Sequence, residues 1–271
     1  MPTKTGKTYA SYYKNDLAIN QSSNTGVDAT TRVVHDGAGQ STSISLSNNV
    51  LSVQPVNNNS TRTMLVKNQS GSNIMTVDTT NSKVLVGASQ VAANTQYAYF
   101  GNDYSGSSNF AADRHYAIAF NSSTIATFQD MDMGSSTSSS FNDTDPALFL
   151  TLTNDAHFFT VCYWYVMDNI TIDAVTWLHA ADTATGEDTA AHLMSYTIDT
   201  ANGSTSGDLS SGVVVADGAT ITNAGHEQIY YQAMTVQSAD VDAGKVILFT
   251  FASDTVNSDY SISATVKYHI R

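Results

Sequence analysis

The chain of 271 residues has little cysteine, proline and charge. Its one cysteine, Cys162, excludes a disulfide framework within the chain and any zinc site built from several cysteines. The longest fully apolar stretch, residues 161–167, is far too short to cross a bilayer. The N-terminal sequence MPTKTGKTYASYYKND contains lysines with no apolar segment behind them, so we expect no secretory signal.

Charged residues make up only 13% of the chain, and acidic ones dominate to give a net charge of −13. Such an acidic chain is not expected to bind the phosphate backbone of a nucleic acid. Disorder is not expected either, because 41% of the residues are hydrophobic and 10% are aromatic. Composition therefore predicts a folded acidic protein rich in Ser, Thr, Asn, Asp and Gly, without membrane insertion and without a nucleic-acid partner.

The charges are unevenly distributed along the chain. Up to Gly87, seven basic residues oppose four acidic ones, a net of +3, whereas after Gly87 four basic residues oppose 20 carboxylates, a net of −16. This indicates a mildly basic segment that can dock on an acidic partner, followed by a negative body that repels its neighbours. An acidic surface that serves solubility alone is the open alternative for the second region.

Residues 1–42 show no sustained hydrophobic period and are predicted to form an extended arm that orders only against a partner. Tyrosines in this arm offer contact area with an apolar body and a polar tip. The proposed anchoring residues are Lys4, Lys7, Tyr9, Tyr12, Tyr13 and Lys14.

Residues 43–94 contain short predicted strands, each with two or three apolar residues on one face. That is too little for a self-standing sheet. Three copies winding around one axis would bury these narrow faces against one another. The residues assigned to this trimerisation region are Ile44, Leu46, Leu51, Val53, Met64, Val66, Ile74, Val77, Val84 and Val86.

A family resemblance is carried by the first part of the chain. The stretch MLVKNQSGSNIMTVDTTNSKVLVG, residues 64–87, resembles the short β-modules of trimeric fibres of tailed bacteriophages, with an apolar strand, a Ser-Gly turn, VD and an Asn-containing turn before KV. The preceding stretch, YYKNDLAINQSSNTGVDATTRVVHDGAGQSTSISLSNNVLSVQP, resembles the N-terminal part of virion surface proteins of marine tailed phages. The resemblance implies a homotrimeric structural protein on the virion surface, made in the cytoplasm of the bacterial host. Its implied partners are the major capsid protein or other virion proteins.

Residues 95–271 are predicted to form an antiparallel, jelly-roll-like β-sandwich, which makes the whole chain all-β. The clearest strand is 260–270, where apolar and polar residues alternate. Residues 158–167 are apolar on both faces and are predicted to lie centrally, whereas 174–181 and 190–194 are read as strands with short helices as the alternative. Further strands are predicted at residues 116–120, 147–153, 170–178, 192–198, 212–216, 228–236 and 245–252.

Side chains that could carry catalysis are scattered. Cys162 lies in an apolar run and is expected to be a buried, inert thiol, and His226-Glu227 has no third partner in view. The chain contains no GxSxG elbow, HExxH helix or P-loop. We therefore predict no catalytic residue, no enzyme activity and no cofactor. A polysaccharide-degrading enzyme with Asp130 and Asp132 as acid and base is the enzymatic alternative.

Carboxylates near turns raise the alternative of a calcium site, because Ca²⁺ prefers oxygen ligands. None of them matches an EF-hand loop, and turn formation explains such residues without a metal, so no metal site is predicted. The carboxylates concerned are Asp130, Asp132, Asp143, Asp145, Asp182, Glu187 and Asp188.

Sugar binding is a further alternative, because tyrosine rings beside Asn and Asp side chains suit sugar rings and hydroxyls. The candidate contacts are Tyr104 in FGNDYSGSSNF and Tyr260 in NSDYS, and the partner would be host surface polysaccharide. Ordinary aromatic packing competes with this interpretation.

The leading hypothesis is a trimeric capsid decoration (cement) or head-fibre protein that projects a β-sandwich from the particle. A tail fibre is less favoured because 271 residues give a short reach. The alternative is a tail-fibre or receptor-binding protein that recognises host surface glycan.

Overall fold

A computed structural model describes residues 16–20, 26–104, 112, 114–121, 133, 161–181, 185–199, 209–225, 227–254 and 260–271. Throughout these residues the regular structure is β-strand, which confirms the all-β prediction. In the same residues, no helix is long and apolar enough to span a membrane. The chain divides into two compact units, residues 1–93 and 94–271.

The N-terminal unit contains two antiparallel, four-stranded sheets whose strands follow chain order. The strands of the first sheet are β1 (Leu17–Ile19), β2 (Arg32–Asp36), β3 (Ser41–Leu46) and β4 (Leu51–Val53). The strands of the second sheet are β5 (Met64–Lys67), β6 (Asn73–Asp78), β7 (Lys83–Val86) and β8 (Val91–Ala92).

Part of the predicted extended arm belongs to a sheet. Strands β1 and β2 lie within residues 1–42, and β2 pairs with both β1 and β3. Residues 17–19 and 32–36 are therefore ordered in a sheet of their own chain, whereas the sequence predicted an extended arm that orders only against a partner. The hydrophobic period was too short to detect, because β1 has only three residues.

The C-terminal unit is an antiparallel β-sandwich with twelve strands among its described residues. Its first six strands are β9 (Thr95–Tyr104), β10 (Arg114–Ile118), β11 (Trp164–Tyr165), β12 (Ile170–Ala181), β13 (Asp188–Ile198) and β14 (Leu209–Asp217). The other six are β15 (Ile221–Thr222), β16 (Gln228–Ala233), β17 (Thr235–Val236), β18 (Asp240–Val241), β19 (Lys245–Ser253) and β20 (Tyr260–Ile270).

The strand order of the sandwich is that of a jelly roll. One sheet has the order β16-β12-β20-β9, and the other begins β10-β19-β13-β14. With the eight long strands numbered in chain order, these sheets are 6-3-8-1 and 2-7-4-5, the arrangement of two interleaved Greek keys. The predicted jelly-roll sandwich is therefore confirmed.

The main core lies between the inner faces of the two sheets. With β18 the sheet β16-β12-β20-β9 has five strands, and with β11, β15 and β17 the other sheet has seven. Trp177 and Ile262 face inward from the five-stranded sheet. Phe249 and Phe251 face them from the seven-stranded sheet, and each of the four side chains is at most 2% exposed. Along β20 the buried and less buried residues alternate, so the strand predicted at 260–270 is confirmed with its boundaries. Both segments with a helical alternative are strands, in β12 and β13.

The central strands are not the ones predicted from residues 158–167. Within that segment only Trp164–Tyr165 forms a described strand, while Cys162 lies in a turn and residues 158–160 lie outside the described residues. Cys162 packs with Met194 and Leu248 in a second cluster, on the outer face of the seven-stranded sheet. Cys162 and Tyr163 thus cover the outer face of the sheet, Trp164 and Val166 join the main core, and the centre of the sheet is occupied by β13 and β19.

Two further differences concern strand detection. β9 was not predicted, although Ala98 and Phe100 alternate with exposed tyrosines along it. The strand predicted at 147–153 lies outside the described residues.

Candidate interaction surfaces

One face of the first small sheet collects its apolar side chains. Residues directly opposite each other on neighbouring strands share a face, and side chains alternate along each strand. The pairs Leu46 with Leu51 and Ile44 with Val53 therefore lie on one face, together with Arg32, which pairs with Leu46. The apolar members of this first apolar face are Leu17, Ile19, Val34, Ile44, Leu46, Leu51 and Val53.

The second small sheet has a corresponding apolar face. Its register pairs Val77 with both Met64 and Val84, and Met75 with both Val66 and Val86. The members of this second apolar face are Met64, Val66, Met75, Val77, Val84, Val86 and Val91. Five of the seven are at least 36% exposed in the single chain: Met64, Val66, Val84, Val86 and Val91.

The opposite face of the second sheet mixes apolar and polar side chains, because Leu65 and Leu85 lie on either side of Thr76. The Thr76 hydroxyl donates to Gln90 Oε1 at 2.6 Å. The Asp78 carboxylate accepts from the side chain and the backbone of Asn81, which lowers its pKa. Thr76 and Asp78 on this face therefore have their hydrogen-bond partners within the unit, while most members of the second apolar face are exposed.

Nine of the ten residues predicted for trimerisation lie on these two apolar faces. The exception is Ile74, which shares the opposite face with Thr76 and Asp78 and is 49% exposed. Sequence reasoning missed five members, of which Met75 alternates with Val77 and could have been found from that alternation. The missed members are Leu17, Ile19, Val34, Met75 and Val91.

The proposed anchoring residues cannot be placed. Lys4, Lys7, Tyr9, Tyr12, Tyr13 and Lys14 all lie outside the described residues.

The two predicted sugar contacts have different outcomes. The Tyr104 side chain lies outside the described part of the chain, although its backbone pairs with Tyr260. Tyr260 itself is 1% exposed, and its hydroxyl donates to Glu187 Oε2 at 2.6 Å. A buried ring offers no face to a sugar, so the structure corrects the assignment of Tyr260 as a glycan contact.

Exposed aromatic residues of the sandwich lie elsewhere, on the outer face of the five-stranded sheet. Tyr97 and Tyr99 on β9 are 53% and 50% exposed, and Tyr231 on β16 is 65% exposed. Sequence reasoning missed them, because their exposure follows from which side of β9 and β16 faces the core.

A cavity of about 250 Å³ opens at one end of the sandwich. Trp164 lies at its wall, stacked on Phe120 with 5.9 Å between ring centroids. The Tyr268 hydroxyl donates to Gln96 Oε1 at 2.8 Å, and Asp168 adds a carboxylate. The cavity is below the usual size of pockets for drug-sized ligands, so it suits only a small molecule or part of a larger one.

Three buried titratable groups of the sandwich, His115, His179 and Cys162, are held in their neutral forms. Burial lowers the pKa of His115 to about 3, with a further contribution from His192, and lowers that of His179 to about 4. Burial also raises the pKa of Cys162 to about 12, and the side chain is fully buried, which confirms the predicted inert thiol. A thiol with such a pKa is not a nucleophile at neutral pH.

Most of the other predicted chemical groups fall outside the described residues. These are Asp130, Asp132, Asp143, Asp145, Asp182 and His226. Glu187 and Asp188 are described, and they accept hydrogen bonds from Tyr260 and Thr222. Within the described ranges, no three His, Cys, Asp or Glu side chains are grouped to hold a metal ion.

Comparison with known protein families and with curated proteins finds no match to the chain. Functional inference therefore depends on the surfaces described above.

Proposed function

We propose that the chain is a non-enzymatic structural protein of a bacteriophage virion, a homotrimer that decorates the capsid or forms a head fibre. In this proposal the N-terminal unit assembles the trimer and the β-sandwich projects from the particle. The observation that carries the assembly step is the second apolar face, seven aliphatic side chains on a four-stranded sheet with five of them exposed.

An apolar face of this kind favours a partner. Contiguous exposed apolar surface is rare on monomers and usually marks an interaction site. A sheet also needs a second layer over its apolar face to form a stable core. The first apolar face has the same need, with Leu17 and Leu51 at 69% and 67% exposure.

Further copies of this chain suit that role. The members of the second apolar face are all uncharged and apolar, so identical copies can pack it without burying a charge, whereas the first apolar face also carries Arg32, bonded to Asp28, and Asp36. The first 87 residues carry a net of +3, which leaves little repulsion between N-terminal units. The number of copies, three, is taken from the resemblance to phage fibre modules.

The jelly-roll order of the sandwich agrees with a virion role at the level of the fold. Jelly rolls occur in viral capsid proteins and also in lectins, so this support is by analogy.

The assembly step is tested by light scattering on the full-length protein. We expect a mass of three chains, and we expect Val86→Asp to reduce it, because a charge on the apolar face cannot be buried without a partner. Ile74→Asp is the matched control, since Ile74 has similar exposure (49% against 41%) on the opposite face of the same sheet. A monomeric wild-type protein, or equal loss in both variants, would contradict the proposal.

The virion location is tested by immunogold labelling of purified particles. We expect label on the head, and we expect a protein lacking residues 1–15 to remain trimeric but to leave the particles unlabelled. A deletion of 1–42 is unsuitable, because it would remove β1 and β2. Label on the tail would instead favour the second candidate function.

The second candidate is a receptor-binding protein that recognises host surface glycan. The exposed tyrosines on the outer face of the five-stranded sheet favour it.

A further inference from the structure

The outer face of the five-stranded sheet has mostly small side chains on its central strands and tyrosines on its outermost strands. One row across the sheet pairs Ala233 with Thr176, Thr176 with Thr265 and Thr265 with Tyr99. The next row runs Tyr231, Leu178, Ser263 and Gly101 in the same way. In these two rows Tyr99 and Tyr231 lie on the outermost strands, and the other residues are no larger than Leu178. In the row of Tyr97, Lys267 is its direct neighbour.

Strand geometry sets the dimensions of this face. Tyr97 and Tyr99 are two residues apart on β9, so their rings project side by side about 7 Å apart. Strands β9 and β16 are separated by three strand spacings, so about 14 Å lies between Tyr99 and the Tyr231 edge. Tyr97, Tyr99, Leu178, Ile229 and Tyr231, all at least 37% exposed, define what we call the tyrosine face.

The tyrosine face differs from the rest of the sandwich in charge. Residues after Gly87 carry a net of −16, yet Lys267 is the only charged residue among the described side chains of the rows containing Tyr97, Tyr99 and Tyr231. The face instead presents phenol and hydroxyl groups, those of the tyrosines with Thr176, Thr265 and Ser263. A neutral polyhydroxyl ligand can lie across the rows of Tyr97, Tyr99 and Tyr231 without desolvating a carboxylate, whereas the row of Ile229 ends at Asp103.

The same charges argue against a second copy as the occupant. Two sandwiches of net −16 repel each other, and this repulsion opposes packing of one tyrosine face on another. The surfaces assigned to self-association are also chemically different, because they are aliphatic and lie in the N-terminal unit. An acidic polymer would meet the same repulsion.

We propose that the tyrosine face binds a neutral polysaccharide, with sugar rings stacked on Tyr97, Tyr99 and Tyr231 and hydroxyls bonded to the Ser and Thr side chains between them. Tyrosine suits this role because its ring is apolar while its tip forms hydrogen bonds. The inference rests on the second candidate function, recognition of host glycan, and gives it a site.

The test is affinity electrophoresis of the full-length protein in gels that contain dextran, laminarin, mannan, xylan or agarose, with alginate as an acidic gel. We expect at least one neutral gel to retard the protein and alginate to leave it unaffected. Tyr231→Ala should weaken the retardation about tenfold, the loss of one good aromatic contact. Tyr97→Ala/Tyr99→Ala removes two rings and should weaken it more. Tyr165→Ala is the matched control, since Tyr165 is 56% exposed and lies at the cavity instead.

Each other outcome overturns the proposal. No retardation in any neutral gel excludes the ligand class, and loss only in Tyr165→Ala moves binding to the cavity. Light scattering on the same variants tests whether the tyrosine face is instead a contact between copies of the chain. If Tyr97→Ala/Tyr99→Ala lowers the number of associated chains, the face is a contact between copies. Because trimer assembly is read from Val86→Asp, failure of one proposal leaves the other standing.

Discussion

Burial sets the protonation state of two histidines in this sandwich, His115 and His179. His115 lies in a polar pocket on the outer face of the seven-stranded sheet, where its Nδ1 is 3.2 Å from the Thr250 hydroxyl and its ring is 5.0 Å from that of His192. His179 lies between Trp177 and Tyr230 in the other sheet, and its Nε2–H donates to Asn223 Oδ1 at 2.9 Å. Protonating either ring would place a second N–H donor in a buried environment.

We expect stability to fall as the pH drops below about 6.5. Folding lowers the pKa values of His115 and His179 from 6.5 to about 3 and about 4, so protons bind more strongly to the unfolded chain. At pH 5 this difference costs about 2 kcal/mol for each histidine. Guanidinium unfolding at pH 7.5 and pH 5 measures it.

The variant His115→Gln should reduce that pH dependence by the contribution of one histidine. His35→Gln, at a partly exposed histidine of the N-terminal unit, is the control and should leave the sandwich transition unchanged. Carboxylates with lowered pKa values, such as Asp28, lose their ionised form only at lower pH and do not confuse the comparison. Equal stability at the two pH values would contradict the neutral state of the buried histidines.

A side chain has too little room at Gly218. A Cβ atom there would lie 2.7 Å from Gln232 Oε1 and 3.0 Å from the Ala191 carbonyl oxygen. The same Oε1 accepts the Trp177 indole N–H at 3.1 Å, so a side chain at 218 would displace this bond. We expect Gly218→Ala to lower the free energy of unfolding by about 1–3 kcal/mol, as overpacking does.

Gly225→Ala is the matched control for Gly218→Ala. Its Cβ would meet only the exposed Gln228 side chain, at 3.2 Å, which can move away. Thermal unfolding of both variants gives the comparison. Equal transition temperatures would mean that Gln232 yields as easily as Gln228.

At the scale of strands, alternation of apolar and polar residues predicted the strands that have one buried face and one less buried face. Residues 260–270 and most of β12 were found because one face of each strand is buried and the other is not. The prediction of a central strand at residues 158–167 failed because an apolar run does not show which part of the protein covers it. Cys162 packs on the outside of a sheet, so its apolar neighbours need no central position.

Strand register lies beyond the reach of a single sequence. Nine of the residues predicted for trimerisation were assigned to short strands correctly, but only the register shows that they lie on one face of each small sheet, as the pairing of Val77 with Met64 and Val84 does for the second. Ile74 was assigned with them because it is apolar, and its position next to Thr76 and Asp78 places it on the other side. The Tyr97 and Tyr99 surface needed the same information about which side of β9 is buried.

At the scale of the whole molecule, assembly and recognition are assigned to different units. The unit of residues 94–271 has its own core, built from inner faces of two sheets, so we expect it to fold alone. Its net charge of −16 opposes self-association, whereas the unit of residues 1–93 carries the aliphatic faces.

Light scattering on a protein of residues 94–271 separates these roles. We expect a folded monomer, with the full-length protein at three chains, because the truncation removes both apolar faces. Salt provides an independent check, since about 0.5 M NaCl screens surface repulsion over distances beyond a few ångströms. If the truncated protein stays monomeric in low salt and in high salt, the sandwich has no cohesive surface of its own. If it trimerises in both, the contact lies in the sandwich, and the tyrosine face becomes the first surface to mutate.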